Sequence, residues 1–351
     1  MQKELKMPIS TDKDQEYPFV SVIVAARNEE KYIGRLLDSL VNQTYPKDRF
    51  EVLVFDGMSQ DSTLQIVKKY TGLLNLRIFE NPKIKHVFAF NKGIEEAKGN
   101  LFMIVNAHSI LKKDFIEKDV CTFLKIRSIE PKLAGVGGIY INIHENAFAR
   151  VIGLMYYSPF SGARSCRYSR KPHFSDSVIF GVFDKQVVLS NGKFDEDFIV
   201  GQDDELPLRL HAKGFKFYTN PDIVAYYYTR SSFKGFVKQT FNYGVAKGLL
   251  VRKGYRRVEW FNPASFWFIP PSFFIYEIFL LILFLRAGVL YPLAFAPLLL
   301  YGIINLLTSF HLLIKTKSIL CIFLPFMYFL FHNILGIGFL MGLIFGKKCF
   351  L

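Results

Sequence analysis

The stretch from Phe19 to Leu40, FVSVIVAARNEEKYIGRLLDSL, contains both elements of an α/β fold. Its first eight residues, FVSVIVAA, are almost continuously apolar, which is typical of a strand buried on both faces of a sheet. Its second half has apolar residues at Ile33, Leu36, Leu37 and Leu40. This is the spacing of one face of an α-helix. A buried strand followed by an amphipathic helix predicts a parallel sheet covered by helices.

The alternation of strand and helix patterns continues to residue 107. Strand patterns recur at 51–57 (EVLVFDG), 76–81 (LRIFEN) and 101–107 (LFMIVNA). Helix patterns lie between them at 61–70 (DSTLQIVKKY), which opens with an Asp-Ser-Thr cap, and at 86–99 (HVFAFNKGIEEAKG), which ends at Gly99. The predicted fold is therefore α/β, with a mostly parallel sheet sandwiched by helices and followed by C-terminal transmembrane helices.

Polar residues stand at the carboxyl ends of three of the predicted strands. They are Arg27, Asn28, Glu29, Asp56, Asn106 and His108. In an open α/β sheet the carboxyl ends of the strands converge on one crevice, where ligands bind. Asp56 alone could be a turn residue in DGMSQDST, but three such strand ends together favour a ligand site.

The last third of the chain is apolar and predicts a membrane region. From Trp260 onward there are only five of the 44 basic residues and one of the 30 acidic residues, Glu277. Segments near 266–285, 287–307 and 319–345 have the length that crosses a bilayer, about 20 apolar residues. We expect Glu277 to face protein rather than lipid. A break at Gly336–Gly338 would turn the third segment into a re-entrant hairpin.

Basic residues beside these segments predict the orientation in the membrane. Between Ser231 and Val258 seven cations occur without an acid: Lys234, Lys238, Lys247, Arg252, Lys253, Arg256 and Arg257. Together with Lys315 and Lys317 they place the preceding domain on the cytoplasmic side. They also favour contact with anionic lipid head groups over a merely solvated helix face. Lys347 and Lys348 would lie on the opposite side of the membrane if the third segment crossed it. They fit the cytoplasmic orientation only if this segment re-enters the membrane and returns to the same side.

The N-terminus and the cysteines add two further expectations. The first 18 residues contain no apolar signal segment, so we expect no cleavable leader. The four cysteines are Cys121, Cys166, Cys321 and Cys349, and no C-x-x-C pair occurs. This spacing favours neither a zinc site nor a disulfide framework, and it fits a reducing compartment.

Four motifs, in this order, resemble those of family 2 of the glycosyltransferases. They are VSVIVAARNEEKYIGRLLDSL (20–40), FDGMSQDST (55–63), NKGIEEAKGN (91–100) and GKFDEDFIVGQDDELPLRLHAKG (192–214). Two later stretches, YYYTRSSFKGFVKQTFNYGVAKG (226–248) and IPPSFF (269–274), are similar to membrane-anchored enzymes of the exopolysaccharide or succinoglycan type. The resemblance covers roughly residues 18–285. It implies a GT-A-type fold and an inverting transferase that uses a nucleotide-sugar donor.

The resemblance also implies roles for individual residues. The nucleotide-binding positions would be Ala26, Arg27, Asn28, Glu29, Asp56, Asn91 and Gly93. The general base would be Asp203, which takes the proton of the acceptor hydroxyl and whose charge the N-terminus of a helix stabilises. The alternative is that Asp203 merely caps that helix. Contacts to the acceptor or the diphosphate would come from Gln202, Asp204, Gly181 and Gln239.

The basic stretch SGARSCRYSRKPHF (161–174) adds Arg164 and Arg167 to the candidates for diphosphate contact. Its charge is suited to a mobile lid that neutralises a donor diphosphate or a lipid pyrophosphate. A plain solvated loop is the alternative. The family resemblance assigns no role to this stretch.

Asn106 and His108 stand where the resemblance implies an Asp-X-Asp motif that holds a divalent ion on the diphosphate. Mg²⁺ prefers oxygen ligands, whereas Mn²⁺ accepts imidazole as well, so these residues favour Mn²⁺ over Mg²⁺. We expect weak metal affinity that depends on the nucleotide. The alternative is a metal-independent site in which His108 is structural or contacts phosphate. Gln202, where Glu is usual, and Tyr243, where Trp is usual, are further departures from the family pattern.

The sequence therefore predicts four regions: a polar tail (1–17), a GT-A transferase domain (18–230), a basic juxtamembrane segment (231–262) and a transmembrane region (263–351). The predicted function is transfer of a sugar, from a UDP-sugar by preference, to a polyprenyl-linked glycan on the cytoplasmic face of the membrane. The alternative is an inactive scaffold of a polysaccharide-assembly complex that binds nucleotide or glycan. The predicted partners are the donor, the acceptor, membrane lipids and polysaccharide-assembly proteins, without nucleic acid.

Overall fold

The computed structural model describes residues 17–161, 170–255, 267–287 and 292–351. Within these residues the strands are β1 (Val20–Ala26), β2 (Phe50–Asp56), β3 (Leu76–Glu80), β4 (Leu101–Asn106), β5 (Ser109–Leu111), β6 (Leu133–Ile143), β7 (His173–Ser175), β8 (Val182–Asp184) and β9 (Lys216–Tyr228). The α-helices are α1 (Ile33–Val41), α2 (Thr63–Lys68), α3 (His86–Glu96), α4 (Phe115–Arg127), α5 (Ala147–Tyr156), α6 (Lys185–Ser190), α7 (Gln202–Ala212), α8 (Phe233–Arg252), α9 (Ile269–Ala287), α10 (Ala296–Thr316) and α11 (Leu324–Phe345).

The sheet has two halves that differ in strand direction. Its strands lie in the order β3-β2-β1-β4-β8-β6-β9-β5, and β7 pairs with β9. Strands β3, β2, β1 and β4 run parallel to one another, which confirms the four strands predicted from the sequence. Strand β8 is antiparallel to β4 and β6, and β5 and β7 are antiparallel to β9. The sheet as a whole is therefore mixed.

The parallel half is buried because its strands are apolar on both faces. Val22 and Val54 are fully buried in the sheet, and Leu36 is fully buried on α1. Each side chain of this size stabilises the fold by roughly 1.5–3 kcal/mol when it leaves water. The strand register places Asp56 beside Ala26, and Asn106 beside the preceding residue of β1. The polar strand ends therefore lie together at one edge of the sheet.

Two helix termini differ from their predicted form. Ser62 is the N-cap of α2, but its side chain makes no capping bond. Instead the Asp61 carboxylate accepts hydrogen bonds from the Thr63 backbone N–H, at 3.0 Å, and from the Thr63 hydroxyl, at 2.5 Å. Helix α3 ends at Glu96, before the predicted end at Gly99. Gly99 is required for close packing, because a Cβ there would overlap the Phe19 carbonyl oxygen.

The chain divides into two compact units. The described residues of the first unit are 17–141, 170–196 and 209–227, which include most of the sheet. Those of the second unit are 142–161, 197–208, 228–255, 267–287 and 292–351. The second unit therefore contains α5 and the helices from α8 onward. The predicted domain limits at residues 230 and 262 remain predictions.

Three helical segments of the described chain are long and apolar enough to cross a membrane: Ile269–Arg286, Ala296–Thr316 and Ile319–Cys349. The second was predicted to begin near residue 287, which is wrong. It begins at Ala296 with a proline in its first turn, a position where the missing N–H costs no hydrogen bond.

The predicted break in the third apolar segment is also wrong. Helix α11 passes through Gly336–Gly338 without interruption, because these glycines pack directly on other helices. Gly336 lies against the Pro270 carbonyl, and Gly338 lies against the Phe241 carbonyl. Glu277 of α9 is half-buried and hydrogen-bonds Asn333 of α11, so its carboxylate faces protein as expected.

Candidate active site

The loops that follow β1, β2 and β3 contain residues in the left-handed region of backbone conformation. They are Asn28 (φ 55°), Met58 (φ 60°) and Ile84 (φ 68°). Asparagine tolerates this region, but a β-branched isoleucine is strained there. Strained backbone concentrates at functional sites, where the surrounding structure enforces it. These loops therefore mark the same edge of the sheet as the polar strand ends.

Hydrogen bonds join the loop after β1 to the loop after β2. The Asn28 backbone N–H donates to Ser59 Oγ at 3.0 Å, and the Gln60 N–H donates to Asn28 Oδ1 at 2.9 Å. The Glu29 N–H donates to Thr63 Oγ1 at 2.7 Å. The Asn28 side chain therefore holds the loops together, while its predicted contact with a nucleotide remains a prediction. Ala26 is buried at the end of β1 and Arg27 is exposed beside it.

Asp56 has one bonded and one unbonded carboxylate oxygen. The residue is only 7% exposed, and its Oδ2 accepts a hydrogen bond from the Ser59 N–H at 3.1 Å. Its Oδ1 is buried and has no hydrogen-bond partner among the described residues. A buried acceptor without a partner costs about 1–3 kcal/mol. Such an oxygen is suited to bind the N–H or O–H groups of a ligand.

His108 connects two strands of the first unit. Its Nδ1 lies 3.1 Å from Glu29 Oε1, and its Nε2 lies 3.1 Å from the Tyr227 hydroxyl of β9. The Tyr227 ring in turn packs on Tyr140 with centroids 5.2 Å apart. The imidazole is therefore held between a carboxylate and a phenol, at the edge of the sheet where β4 ends.

The side chains around His108 are the candidate ligands of a divalent cation. Among the described residues no three His, Cys, Asp or Glu side chains form a metal cluster. His108 and Glu29 are neighbouring side chains, and Asn106 stands two residues before His108 in the sequence. Mn²⁺ accepts these ligand types, but an octahedral shell of about six ligands needs further oxygens. Both nitrogens of His108 lie within hydrogen-bond distance of Glu29 and Tyr227, so one of these contacts would have to break before the imidazole bound a cation. These described residues therefore form no preformed metal centre.

Three predicted ligand positions have packing functions in the structure. Asn91 Nδ2 donates to the Phe194 carbonyl at 2.9 Å, and Asn91 Oδ1 accepts from the Phe194 N–H at 3.0 Å. A Cβ at Gly93 would overlap Ile23, so α3 packs closely on β1 there. A Cβ at Gly181 would overlap the Val136 carbonyl of β6. Their ligand contacts remain predictions.

The acidic motif forms the first turn of α7. Gly201 precedes the helix with φ +85°, and a Cβ there would crowd Ala246. Asp203 is exposed, and its carboxylate stands in the first helical turn, where the helix dipole stabilises negative charge. Asp204 pairs with Lys247 of α8 at 3.4 Å, and Glu205 is fully buried. Gln202, half-buried, is the first residue of α7.

Other predicted positions have different surroundings. Gln239 Nε2 donates to the Tyr243 hydroxyl at 3.1 Å, so Gln239 contacts the residue that stands in place of the family's Trp on α8. Arg164 and Arg167 lie outside the residues that the structure describes.

Two side chains in these surroundings were not identified from the sequence. Tyr227 lies on β9, and no local pattern reveals that it contacts His108, 119 positions earlier. Lys247, which the charge pattern assigns to lipid contact, instead approaches Asp204, and its Nζ lies 3.6 Å from the centroid of the Trp267 ring. The available signal was the helical spacing of Gln239, Tyr243 and Lys247, which puts them on one face of α8.

Known proteins similar to this chain are glycosyltransferases. The family described as Glycosyl transferase family 2 matches residues 21–151. A Methanococcus voltae protein, "Dolichyl N-acetyl-alpha-D-glucosaminyl phosphate 3-beta-D-2,3-diacetamido-2,3-dideoxy-beta-D-glucuronosyltransferase", is 43% identical over 336 residues, covering 95% of this chain and 99% of that protein. The poly(ribitol-phosphate) β-N-acetylglucosaminyltransferase TarS of Staphylococcus aureus is 37% identical over 123 residues, covering 34% of this chain and 21% of TarS.

A solved structure resembles nearly the whole chain. The mannosyltransferase PcManGT from Pyrobaculum calidifontis, in complex with GDP-Man and Mn²⁺, has a TM-score of 0.63 and 20% identity, covering 97% of this chain and 91% of that chain. This likeness confirms the predicted GT-A-type fold with additional apolar C-terminal helices. The relative that matches end to end shows the family, and the chain belongs to family 2 of the glycosyltransferases.

Proposed function

We propose that this transferase moves a sugar from a UDP-sugar to a dolichyl- or other polyprenyl-phosphate-linked glycan, with inversion at the anomeric carbon. The proposal rests on the similarity to the Methanococcus voltae protein, which extends over 95% of this chain and includes the apolar helices. Its name states a dolichyl-phosphate-linked acceptor and a β-linked product. A single displacement on an α-linked nucleotide sugar forms such a β linkage.

Asp203 is the proposed general base of this displacement. A hydroxyl is a poor nucleophile, so a carboxylate within hydrogen-bond reach must take its proton as the new bond forms. Asp203 is the exposed carboxylate of the first turn of α7, whereas Asp204 is paired with Lys247 and Glu205 is buried. The exposure of its carboxylate makes Asp203 the proposed base of this motif.

The donor nucleotide is proposed to bind at the carboxyl ends of β1 and β2. Asp56 Oδ1 would accept a hydrogen bond from the base or the ribose, since this buried oxygen has no partner among the described residues. Glu29 and the backbone at Ala26 and Arg27 would line the same pocket. The cytoplasmic side is the proposed location of this pocket, from the basic residues that flank the apolar helices.

His108, with Asn106 and Glu29, is proposed to hold a divalent cation, Mn²⁺ by preference, together with the donor diphosphate. When bound, the cation would neutralise charge on the leaving diphosphate. The alternative is a metal-independent site in which His108 contacts the phosphate directly. Arg164 and Arg167 would then supply the neutralising charge.

The proposed donor, acceptor and base are tested in one assay. The purified protein in detergent would receive a panel of UDP- and GDP-sugars with dolichyl-phosphate-linked N-acetylglucosamine, and nucleotide release would be measured. We expect release from one UDP-sugar. Asp203→Asn should lower turnover at least 100-fold, the lower range for loss of a general base, while the nucleotide Kd stays unchanged.

Asp48→Asn is the matched control for Asp203→Asn, because Asp48 is also an exposed carboxylate in a helical turn. The control should keep full turnover. An equal loss of turnover and nucleotide binding in Asp203→Asn would contradict its role as base. Nucleotide release from a GDP-sugar and from no UDP-sugar would contradict the proposed UDP-sugar donor.

The cation is tested in the same assay with Mn²⁺, Mg²⁺ or a chelator. We expect release to depend on Mn²⁺ and the nucleotide Kd to rise when the chelator is present. His108→Ala should remove this difference in Kd. Release and binding that ignore the chelator would support the metal-independent alternative.

A further inference from the structure

Helices α8 and α11 of the second unit pack backbone to backbone through glycines. A Cβ at Gly244 or Gly248 of α8 would overlap the carbonyl of Leu335 or Phe339, respectively. In the reverse direction, Gly338 and Gly342 of α11 lie against the carbonyls of Phe241 and Val245. We call these four glycines the glycine seam. Residue numbers rise together along the seam, so the two helices run parallel.

Polar contacts extend this packing to the C-terminus. Arg252 Nη1 donates to the Leu343 carbonyl at 2.9 Å, and the Leu351 N–H donates to Asn242 Oδ1 at 2.9 Å. Asp197 accepts from Lys253 at 2.7 Å and from Lys347 at 2.5 Å. The end of the chain is therefore held beside the polar end of α8.

This arrangement conflicts with a membrane-spanning α11. Helix α8 has 20 residues and α11 has 22, so a parallel α8 would have to cross the bilayer with α11. Helix α8 carries Lys238 and Lys247, and Asp204 pairs with the second of these. A lysine near the centre of a bilayer costs about 2.5–3.5 kcal/mol. The apolar segment that contains α11 is also 44% buried, against 17% for each of the other two.

The surface of α11 that faces away from the glycine seam is an apolar stripe. The stripe consists of Phe326 (64% exposed), Phe329 (42%), Ile337 (36%), Ile344 (58%) and Phe345 (56%). These positions recur at the spacing of one helix face. A helix can lie in the membrane interface when one face is apolar and enters the acyl boundary while the opposite side is polar. Helix α11 has no charged residue of its own, so the polar side must come from α8. In this structure α8 packs on the opposite face of α11, the face that water would contact if α11 were an isolated interfacial helix.

We infer that α11 lies along the membrane surface on its apolar stripe, and that only α9 and α10 cross the bilayer. The partner of the stripe is lipid, since α9 and α10, which pack against α11, also expose large apolar side chains. The C-terminus then lies on the same side of the membrane as the chain before α9. Lys315, Lys317, Lys347 and Lys348 share that side, so the basic residues no longer disagree on orientation.

The depth of α11 in the bilayer tests this inference. Phe326, Ile337 and Ile344 would each be replaced by cysteine in a protein whose four native cysteines are serine, then labelled with a fluorophore. Quenching by lipids with nitroxides at two depths would be measured in phosphatidylcholine–phosphatidylglycerol vesicles. We expect the same shallow depth at all three positions. Since Phe326 and Ile344 are about 27 Å apart along a helix, an Ile337 label deeper by roughly 10 Å would overturn the inference.

Helix α10 provides the matched control for the depth measurement. Leu299, Leu306 and Ile314 are exposed along it, so cysteines there should report shallow, deep and shallow positions in turn. The same vesicles and quenchers would be used for both helices.

The side of the C-terminus is tested without any substitution in α11. Native Cys349 would be kept as the single cysteine and labelled with an impermeant maleimide in sealed vesicles of known orientation. Lys234→Cys and Arg286→Cys would mark the side before α9 and the side after it, respectively. We expect Cys349 to react in the same vesicles as Lys234→Cys. Reaction in the vesicles that label Arg286→Cys would overturn the inference.

Discussion

Asp56 and Asn91 are both buried polar residues of the first unit, but only Asn91 has all its side-chain groups bonded. Asp56 Oδ1 has no partner among the described residues, whereas the Asn91 amide pairs with both backbone groups of Phe194. Binding residues often retain such unsatisfied groups at the expense of stability. Substitution of Asp56 should therefore affect ligand binding, whereas substitution of Asn91 should affect the stability of the fold.

Asp56→Asn is expected to raise the UDP Kd about 10- to 100-fold, because it removes a charge-assisted hydrogen bond worth about 1.5–3 kcal/mol. The melting temperature should fall little, since no protein contact of Oδ1 is lost. Asn91→Ala should do the reverse, lowering the melting temperature by several degrees through two lost bonds. Calorimetry of UDP binding and thermal unfolding in detergent would measure both. A large loss of stability in Asp56→Asn would contradict the ligand role.

Asp119 gives a pH-dependent prediction. This residue of α4 is fully buried, and burial raises the pKa of its carboxyl well above the usual value. The folded chain therefore retains a proton that the unfolded chain releases. Its contribution to stability is complete below the ordinary Asp pKa, near 4, and is lost as the pH rises toward the folded value.

Asp119→Asn is expected to raise the melting temperature at pH 7.5 by about 2–4 °C, the shift that roughly 1 kcal/mol produces in a domain of about 150–250 residues. At pH 3, about one unit below the ordinary Asp pKa, the gain should nearly disappear, because both side chains are then largely neutral in the folded and the unfolded chain. Thermal unfolding at the two pH values would measure it. Asp48→Asn, at an exposed site, should change neither value. A full gain that persists at pH 3 would indicate that ionisation is not the cause.

At the residue scale, the sequence shows which polar residues follow the strands but not which residues they contact. Asp56 and His108 can be recognised as candidates because polar residues after apolar strand patterns are visible locally. The contacts of His108 with Glu29 and Tyr227 join β1, β4 and β9, and no local pattern encodes such pairing. For the same reason, the packing functions of Gly93 and Gly181 could not be read from their motifs.

At the scale of elements, the glycine seam predicts that α8 and α11 tolerate no added methyl group. Gly338→Ala should lower the melting temperature by several degrees, since its Cβ would overlap the Phe241 carbonyl and push the helices apart. Gly302→Ala on α10 is the matched control, because nothing lies within 4 Å of its Cβ position. The control should be neutral or slightly stabilising, as alanine favours helix. Equal melting temperatures for the two variants would contradict close packing at the seam.

The same scale shows which elements the sequence could predict. The four parallel strands are long and apolar, so their patterns were unambiguous. Strands β5, β7 and β8 have three residues each, too few for any period to emerge. Their antiparallel pairing depends on β4, β6 and β9, which are distant in sequence.

At the scale of the whole molecule, the apolar helices and the proposed lipid-linked acceptor predict that the reaction occurs within one membrane. An acceptor analogue with an isoprenoid chain short enough to remain in water should show a KM at least 100-fold higher. Each buried CH₂ contributes about 0.8 kcal/mol to membrane partition, which concentrates the native acceptor near the enzyme. Initial rates in vesicles would measure this difference, and the nucleotide Kd should be the same with either acceptor. Equal KM values would contradict membrane presentation of the acceptor.

Hydropathy predicted three apolar segments, but it did not predict which of them cross the membrane. The third segment differs from the others only through its packing on α8, about 90 residues earlier in the chain. Apolar length is a local property, whereas the glycine seam is a tertiary contact. The number of membrane crossings therefore could not be determined from hydropathy alone.

The glycine seam also sets an order of events during synthesis. Gly244 leaves the ribosome 94 residues before Gly338, an interval of roughly 5–20 s at ordinary elongation rates. Throughout this interval α8 lacks the helix that covers its glycines, while α9 and α10 are translated and inserted. A chain that stops after α10 would keep the strands of its sheet and yet present a bare α8 to chaperones and proteases. Close packing of α8 therefore depends on a helix that is synthesised after α9 and α10.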